Sequence, residues 1–117
     1  MPNRKTFDPD YDPWEPPSEL LDMLHNKKLL QRDRVELVVA FYAESHGGNS
    51  PTYEKIGEIM CIPRPNAYRF AMELTMGDHP RAIKRNGKFW LLNSQYSHPL
   101  IKERFSEYTA SAVQHLS

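Results

Sequence analysis

Apolar residues recur along much of the chain at steps of three and four, the period of one helix face. The clearest run predicts a helix from about Gln31 to His46, ended by a glycine pair, with an inward face of Val35, Val38, Val39 and Tyr42. An earlier run follows two prolines and predicts a helix that begins SELLDML, with Ser18 as its N-terminal cap. The pattern leaves open whether these two helices are separate or continuous through HNKKLL.

Two further helices are predicted on either side of the tight connection CIPR. The first lies in SPTYEKIGEIM, where Ser50 or Thr52 can act as the cap and the inward residues are Ile56, Ile59 and Met60. The second is PNAYRFAMELTM, which ends near Gly77 and has an inner stripe of Ala67, Phe70, Ala71 and Leu74. Proline suits the first turn of a helix because its missing N–H has no helical partner there. We therefore expect Pro65 to open this helix and Pro63 to fix the turn before it.

The period changes in the segment RAIKRNGKFWLL, which predicts a β-hairpin. Asn86-Gly87 is a strong signal for a two-residue turn, because both central positions of a type I′ turn require positive φ. Ala82-Ile83 and residues 89–92 supply the strands, and Trp90 is expected to close the core behind the hairpin. Residues 97–117 then predict an amphipathic helix with one face formed by Ile101, Phe105, Tyr108 and Ala112.

The length of 117 residues fits one domain with additional terminal segments. Residues 1–17 contain five prolines and four acidic residues without periodicity, which predicts a flexible arm. The arm also carries three aromatic residues, Phe7, Tyr11 and Trp14, which either pack back on the domain or bind a partner. We therefore divide the chain into the arm, a domain over residues 18–96, and a C-terminal helix over residues 97–117.

Several classes of protein are disfavoured by composition. The single cysteine, Cys61, excludes an intramolecular disulfide framework and fits a reducing compartment. Neither a membrane-spanning stretch nor the apolar core of a signal peptide is present, so we expect a soluble cytoplasmic protein. The five histidines show no metal-ligand spacing, and we find no Gly-rich phosphate loop or Ser/His/Asp signature. The sequence thus predicts neither an enzyme nor a cofactor or metal site.

Charge is distributed unevenly along the chain, although the net charge is zero. Residues 62–93 contain two acidic residues, Glu73 and Asp78, and six basic residues, which gives six minus two, or plus four. The basic residues are Arg64, Arg69, Arg81, Lys84, Arg85 and Lys88. The rest of the chain is therefore minus four. A positive pole on one helix and one hairpin is typical of a DNA-binding domain.

The order of helix, short helix, tight turn, helix and basic hairpin predicts a winged helix-turn-helix. The fold class is thus mainly α with a small β-hairpin, or α+β, with extra N- and C-terminal helices. The run SPTYEKIGEIMCIPRPNAYRFAMEL, preceded by RDRVELVVAFYAESHGG, resembles the DNA-binding domain of the LexA repressors over roughly residues 30–92. That domain has a similar PT-x-x-x-I helix start and a similar Pro-Asn-Ala opening of its recognition helix.

This resemblance implies a double-stranded DNA-binding transcriptional regulator, of the kind found as small viral, plasmid or microbial repressors. Arg64 stands where those repressors usually carry a small capping residue, and Tyr68-Arg69 replace small and acidic residues. The sequence contains nothing similar to their Ser/Lys protease domain, so self-cleavage is not implied.

Helix geometry suggests which side chains would contact DNA. The first turns of a recognition helix enter the major groove, where arginine pairs with guanine and asparagine with adenine. The predicted DNA-binding residues are Arg64, Asn66, Tyr68 and Arg69 on the helix, and Lys84, Arg85 and Lys88 on the hairpin. The alternative for each is an ordinary surface role, and for Tyr68 it is packing.

The partner expected beside DNA is a second copy of the chain, because terminal helices on such domains commonly pair across a two-fold axis. The alternative is that the C-terminal helix packs on its own domain. A different function also stays open, in which the winged helix is a protein-interaction module for a host regulator or polymerase. In that case the acidic, aromatic arm would be the binding element.

Overall fold

A computed structural model describes residues 12–92 and 98–101 of the chain. Its helices are α1 (Ser18–Leu24), α2 (Gln31–Ser45), α3 (Tyr53–Met60) and α4 (Arg64–Glu73). Strands β1 (Ala82–Arg85) and β2 (Lys88–Leu91) form a two-stranded antiparallel sheet. The prediction of a mainly helical α+β chain with a small hairpin is confirmed. None of the helices within the described ranges has the length and apolarity needed to cross a bilayer.

Helix α2 is the centre of the fold and contacts α1, α3, α4 and β2. Its buried side chains include Val35, Leu37, Val39 and Phe41, which point in different directions around the helix axis. The prediction of a single inward face was therefore too narrow. A helix that is covered on all sides carries apolar residues around its whole circumference, so its sequence has little amphipathic contrast.

The first two helices are separate, since residues 25–30 are not helical. Arg34 joins them, because its Nε donates to the carbonyl oxygen of Leu24 at 3.0 Å and its Nη2 donates to that of Asn26 at 3.0 Å. The prediction that Ser18 caps α1 is wrong. Pro17 occupies the cap position and its carbonyl accepts from Leu20 N at 3.0 Å, so that Ser18 is the first helical residue.

The hairpin turn is the predicted one. Asn86 and Gly87 have φ values of 53° and 78°, and Arg85 pairs directly with Lys88. Strand alternation places Phe89 and Leu91 in the core and leaves Trp90 half-buried on the other face. The expectation that Trp90 closes the core is therefore corrected, since its two neighbours have that role.

A buried ion pair links the hairpin to the central helix. Nη1 of Arg81, a residue 13% exposed at its side chain, donates to Asp33 Oδ1 and to Glu36 Oε1, both at 3.0 Å. Glu36 Oε1 also accepts from the backbone N–H of His98 at 3.3 Å, and this glutamate is 0% exposed. Arg81 was one of the six basic residues counted in the predicted positive pole, but in the structure its guanidinium is paired with two carboxylates in the interior.

Part of the predicted arm packs against α2 and α3. Tyr42 Oη donates to the carboxylate of Asp12, and the buried Lys55 donates from Nζ to the Asp12 carbonyl oxygen at 2.8 Å. The ring of Trp14 lies edge-on to Tyr42 at 5.1 Å between centroids and to His46 at 5.9 Å. Trp14 thus packs back on the domain, whereas Phe7 and Tyr11 lie outside the described residues.

These contacts perturb two titratable groups. Burial raises the pKa of Tyr42 to about 12, and the hydrogen bond to Asp12 and the charge of its carboxylate act in the same direction. Burial would also raise the pKa of Asp12, but the hydrogen bonds from Tyr42 and from the Trp14 backbone N–H, with the charge of Lys55, outweigh it. The pKa of Asp12 is therefore lowered from its usual 3.8.

The described part of the predicted C-terminal helix packs on the domain. Residues 99–101 are helical, Ile101 is 1% exposed within the core, and Leu100 packs against it. The other predicted face residues, Phe105, Tyr108 and Ala112, lie outside the described residues.

We expect Arg81→Met to lower the free energy of unfolding by about 3–5 kcal/mol, because it leaves two carboxylates in the interior without their cation. Urea denaturation measures the change. The matched control is Arg32→Met, since Arg32 forms an exposed ion pair with Glu73 at 3.6 Å. Exposed pairs contribute about 0–1 kcal/mol. Equal losses in the two variants would contradict a structural role for the buried pair.

We expect Tyr42 to ionise near pH 12, above the usual tyrosine value of 10.0. The raised pKa stabilises the fold fully below pH 10, and this contribution is lost as the pH rises through about 12. Absorbance at the tyrosinate band, compared between the wild type and Tyr42→Phe, isolates this group from the other tyrosines. Asp12→Asn should move the ionisation towards 10. If the difference between the wild-type and Tyr42→Phe titrations has its midpoint at pH 10, the contact between Tyr42 and Asp12 is refuted.

Candidate nucleic-acid interface

Helices α3 and α4 form a closely connected pair. Of the two predicted caps, Thr52 is the one used, with its Oγ1 accepting from Lys55 N at 3.1 Å. Helix α3 ends at Met60 and is capped by Cys61, which has the left-handed φ of 59°, and Ile62 N donates to the Gly57 carbonyl oxygen at 2.9 Å. Pro63 then caps α4, whose first residue is Arg64.

Gly57 allows this connection to lie directly against α3. A Cβ atom added at position 57 would lie 2.6 Å from the carbonyl oxygen of Ile62 and 3.6 Å from the backbone nitrogen of Arg64. Both neighbours are backbone atoms, so no side-chain rotation can relieve the contact. The close approach thus fixes where α4 begins, and with it the position of Arg64.

Helix α4 divides the candidate residues between two exposed surfaces. Ala67 and Ala71 are buried against the core. Arg64 and Tyr68 lie one turn apart on one flank, while Asn66 and Arg69, three residues apart, share the side away from the buried alanines. Tyr68 is 41% exposed and Arg69 is exposed, with its guanidinium carbon 4.9 Å from the ring centroid of Phe70. The helix also ends at Glu73, earlier than predicted.

Tyr53 is the structural link between α3, α4 and the hairpin. Its ring meets Tyr68 edge-on, with 4.9 Å between centroids and 82° between planes. Lys84 Nζ lies 5.2 Å from the centroid of the Tyr68 ring, a cation–π distance. Burial raises the pKa of Tyr53 and Tyr68 adds to this, while the positive charges of Lys84 and Arg64 oppose it. Lys84 of the hairpin and Arg64 and Tyr68 of α4 therefore all act electrostatically on the Tyr53 hydroxyl.

An open cleft of about 440 Å³ lies between the two helices and the hairpin. Its walls are formed by residues 49–54 at the start of α3, by Arg64, and by residues 87–90 of the hairpin. Arg64 and Lys88 consequently face a common space although they are far apart in sequence. Tyr53 lines this cleft and also contacts Tyr68.

Of the seven predicted residues, the structure thus places Arg64 and Lys88 around one cleft, and Lys84 against the ring of Tyr68. Asn66 and Arg69 lie on the adjoining outer side of α4, and Arg85 is exposed at the end of β1. Sequence reasoning missed Tyr53. No local signal marks Tyr53, because its role depends on the packing of α3 against α4 and the hairpin.

Comparison with protein-family models, curated proteins and solved structures finds no match to this chain. Among the described residues, no group of three or more histidine, cysteine, aspartate or glutamate side chains is placed to hold a metal ion. The chemistry of the interface is therefore interpreted from its own cations, aromatic rings and shape.

We expect Gly57→Ala to destabilise the domain by about 1–3 kcal/mol, the usual cost of overpacking. Helix propensity alone predicts the opposite sign, since alanine is favoured over glycine in a helix by about 1 kcal/mol. Urea denaturation gives the sign, and backbone amide chemical shifts at residues 62–64 should move. A variant as stable as the wild type, with unchanged shifts, would refute the close approach.

Proposed function

We propose that this protein is a sequence-specific, double-stranded DNA-binding transcriptional regulator with a winged helix-turn-helix domain. In this proposal α3 and α4 form the helix-turn-helix, with α4 as the recognition helix, and the β1–β2 hairpin is the wing. The observation that carries the proposal is the placement of basic hairpin residues beside α4, since Lys88 lines the same cleft as Arg64 and Lys84 Nζ lies 5.2 Å from the ring centroid of Tyr68. A recognition helix beside a basic hairpin fits a major groove and its flanking phosphates.

Phosphate contacts would provide most of the affinity. Lys84, Arg85 and Lys88 are exposed on the hairpin, where ammonium and guanidinium groups can approach the DNA backbone or the minor groove. Each neutralised phosphate releases condensed counterions, so binding should weaken as salt concentration rises. Arg81 is outside this set because it is paired with Asp33 and Glu36.

Base contacts would come from the first turns of α4. Arg64, at the start of the helix, and Arg69, on its exposed side, are suited to guanine, and Asn66 is suited to adenine. The exposed ring of Tyr68 can contact a thymine methyl group or a phosphate. Its ring makes an edge-on contact with Tyr53, which favours one orientation of the side chain.

We also propose that the regulator acts as a homodimer of the repressor type, with residues 97–117 as the pairing element. Two copies would read two half-sites related by a two-fold axis. The burial of Ile101 attaches the start of this segment to the domain core.

The alternative is a winged-helix protein-interaction module whose acidic arm binds a host regulator or polymerase. Trp14 is packed against Tyr42 and His46, so this alternative would depend on Phe7 and Tyr11. The surface of α4 and the hairpin favours the DNA-binding proposal.

The decisive experiment measures affinity for random and selected DNA duplexes by fluorescence anisotropy over a series of salt concentrations. Lys88→Ala should weaken binding to all sequences alike and reduce the slope of log K against log salt by about 1, because one phosphate contact is lost. Arg69→Ala should cost about 1–3 kcal/mol on the selected site and relax the choice at particular base pairs.

Lys27→Ala is the control, since Lys27 is exposed in the α1–α2 connection and belongs neither to α4 nor to the hairpin. It should leave the salt slope and the sequence choice unchanged. Absent or salt-insensitive binding, or equal effects of the three substitutions, would rule out the proposed function.

A further inference from the structure

The cleft between α3, α4 and the hairpin has fixed walls. Ser50 Oγ donates to the carbonyl oxygen of Phe89, which joins the loop before α3 to strand β2 across 39 positions of sequence. Pro51 and Phe89 are buried, and Thr52 is held as the cap of α3. The cavity of about 440 Å³ is within the range of small-molecule sites, roughly 300–1,000 Å³. The space is therefore preformed.

The lining combines two kinds of chemistry. Tyr53 and Trp90 are aromatic residues of the lining, and Arg64 and Lys88 are its basic residues. Glu54 is the one acidic residue among the residues that line the cleft, so the charge of the lining is two minus one, or plus one. An aromatic lining favours a ligand with a planar ring. A lining with a net charge of plus one is balanced by a ligand that carries a single negative charge.

We propose that this cleft binds a small planar aromatic monocarboxylate as an effector. Its ring system would lie against Tyr53 and Trp90, and its carboxylate would pair with the guanidinium of Arg64, which can donate two parallel hydrogen bonds. Lys88 would contribute a second charge from the hairpin side. Trp90 is half-buried, lies on the strand face opposite the buried Phe89, and is among the residues that line the cleft.

Such a ligand would regulate DNA binding by direct competition. It would occupy Arg64 and Lys88, two of the residues assigned to bases and phosphates, and would bring a negative charge to the place of a phosphate. This regulatory consequence rests on the proposed DNA-binding function. The binding of the ligand to the free protein does not rest on it, so the two can be tested separately.

The first experiment uses isothermal titration calorimetry on the full chain without DNA. The probe is 2-naphthoate, compared with 2-naphthamide, which keeps the rings without the charge, and decahydro-2-naphthoate, which keeps the charge without aromaticity. We expect submillimolar binding of 2-naphthoate and about tenfold or greater weakening for the amide, because a charge-assisted hydrogen bond is lost. We expect clear weakening for the saturated acid as well.

Three variants assign the site. Arg64→Gln should weaken 2-naphthoate binding about tenfold or more while leaving the amide unaffected, since only the acid uses the guanidinium. Trp90→Leu should weaken both aromatic probes. Lys27→Gln, which removes an exposed cation from the α1–α2 connection, should change none of the affinities. Thermal denaturation of each variant shows that it is folded.

The second experiment adds 2-naphthoate to a preformed DNA complex and should release the duplex, whereas 2-naphthamide should not. Equal binding of the three probes, no binding at millimolar concentration, or binding unchanged by Arg64→Gln would overturn the proposed site. Tight binding of 2-naphthoate without release of DNA would overturn the competition and leave the site itself standing. If the protein binds no duplex, the calorimetric result still decides whether the cleft is a ligand site.

Discussion

The rest of the fold depends on the place of Arg81. Its side chain pairs with Asp33 and Glu36 of α2, its backbone N–H donates to the carbonyl oxygen of Leu74 at 2.7 Å, and its own carbonyl accepts from Leu92 at 2.9 Å. One residue thus joins the central helix, the end of α4 and both ends of the hairpin. Burying these charges is costly unless the geometry is satisfied. The cost makes other positions of the hairpin relative to α2 unfavourable, because they would leave the carboxylates unpaired.

That constraint explains why α4 and the hairpin share a surface. The hairpin is held to α2 at its base by the ion pair and by the buried Ala82, Phe89 and Leu91. Helix α4 is held to the same α2 by Ala67 and Ala71. The tips of both elements therefore extend to one side of the domain, where Tyr53 bridges them through Tyr68 and Lys84. The proposed interface and the proposed ligand cleft both follow from this common attachment.

Local signals in the sequence predicted much of the fold. The helices, the Thr52 cap and the Asn86-Gly87 turn depend on residues a few positions apart, so their patterns are visible in one sequence. Interactions over long separations were not predictable in this way. Nothing near Arg81 indicates that it pairs with residues 45 and 48 positions earlier. The burial of α2 around its circumference between Val35 and Phe41 was missed for the same reason, since Glu36 interrupts the apolar pattern and its cation comes from a distant segment. In the candidate site, α4 and the hairpin were each predicted from the sequence. Tyr53 was not predicted as a site residue, because its role arises only when α3, α4 and the hairpin pack together.

The net positive charge predicted for residues 62–93 can be compared with the charge that the folded surface carries. Removing the internally paired Arg81 leaves five basic residues against Glu73 and Asp78, or plus three. However, Glu73 is paired with Arg32 of α2 at 3.6 Å, so a cation from another part of the chain joins this surface. Five plus one minus two gives plus four, and Glu54 of α3, which lines the cleft, reduces this to plus three. The charge presented by α4 and the hairpin thus depends on which charged residues the fold buries and which it adds from other segments, so a count over a stretch of sequence gives the sign but not the total.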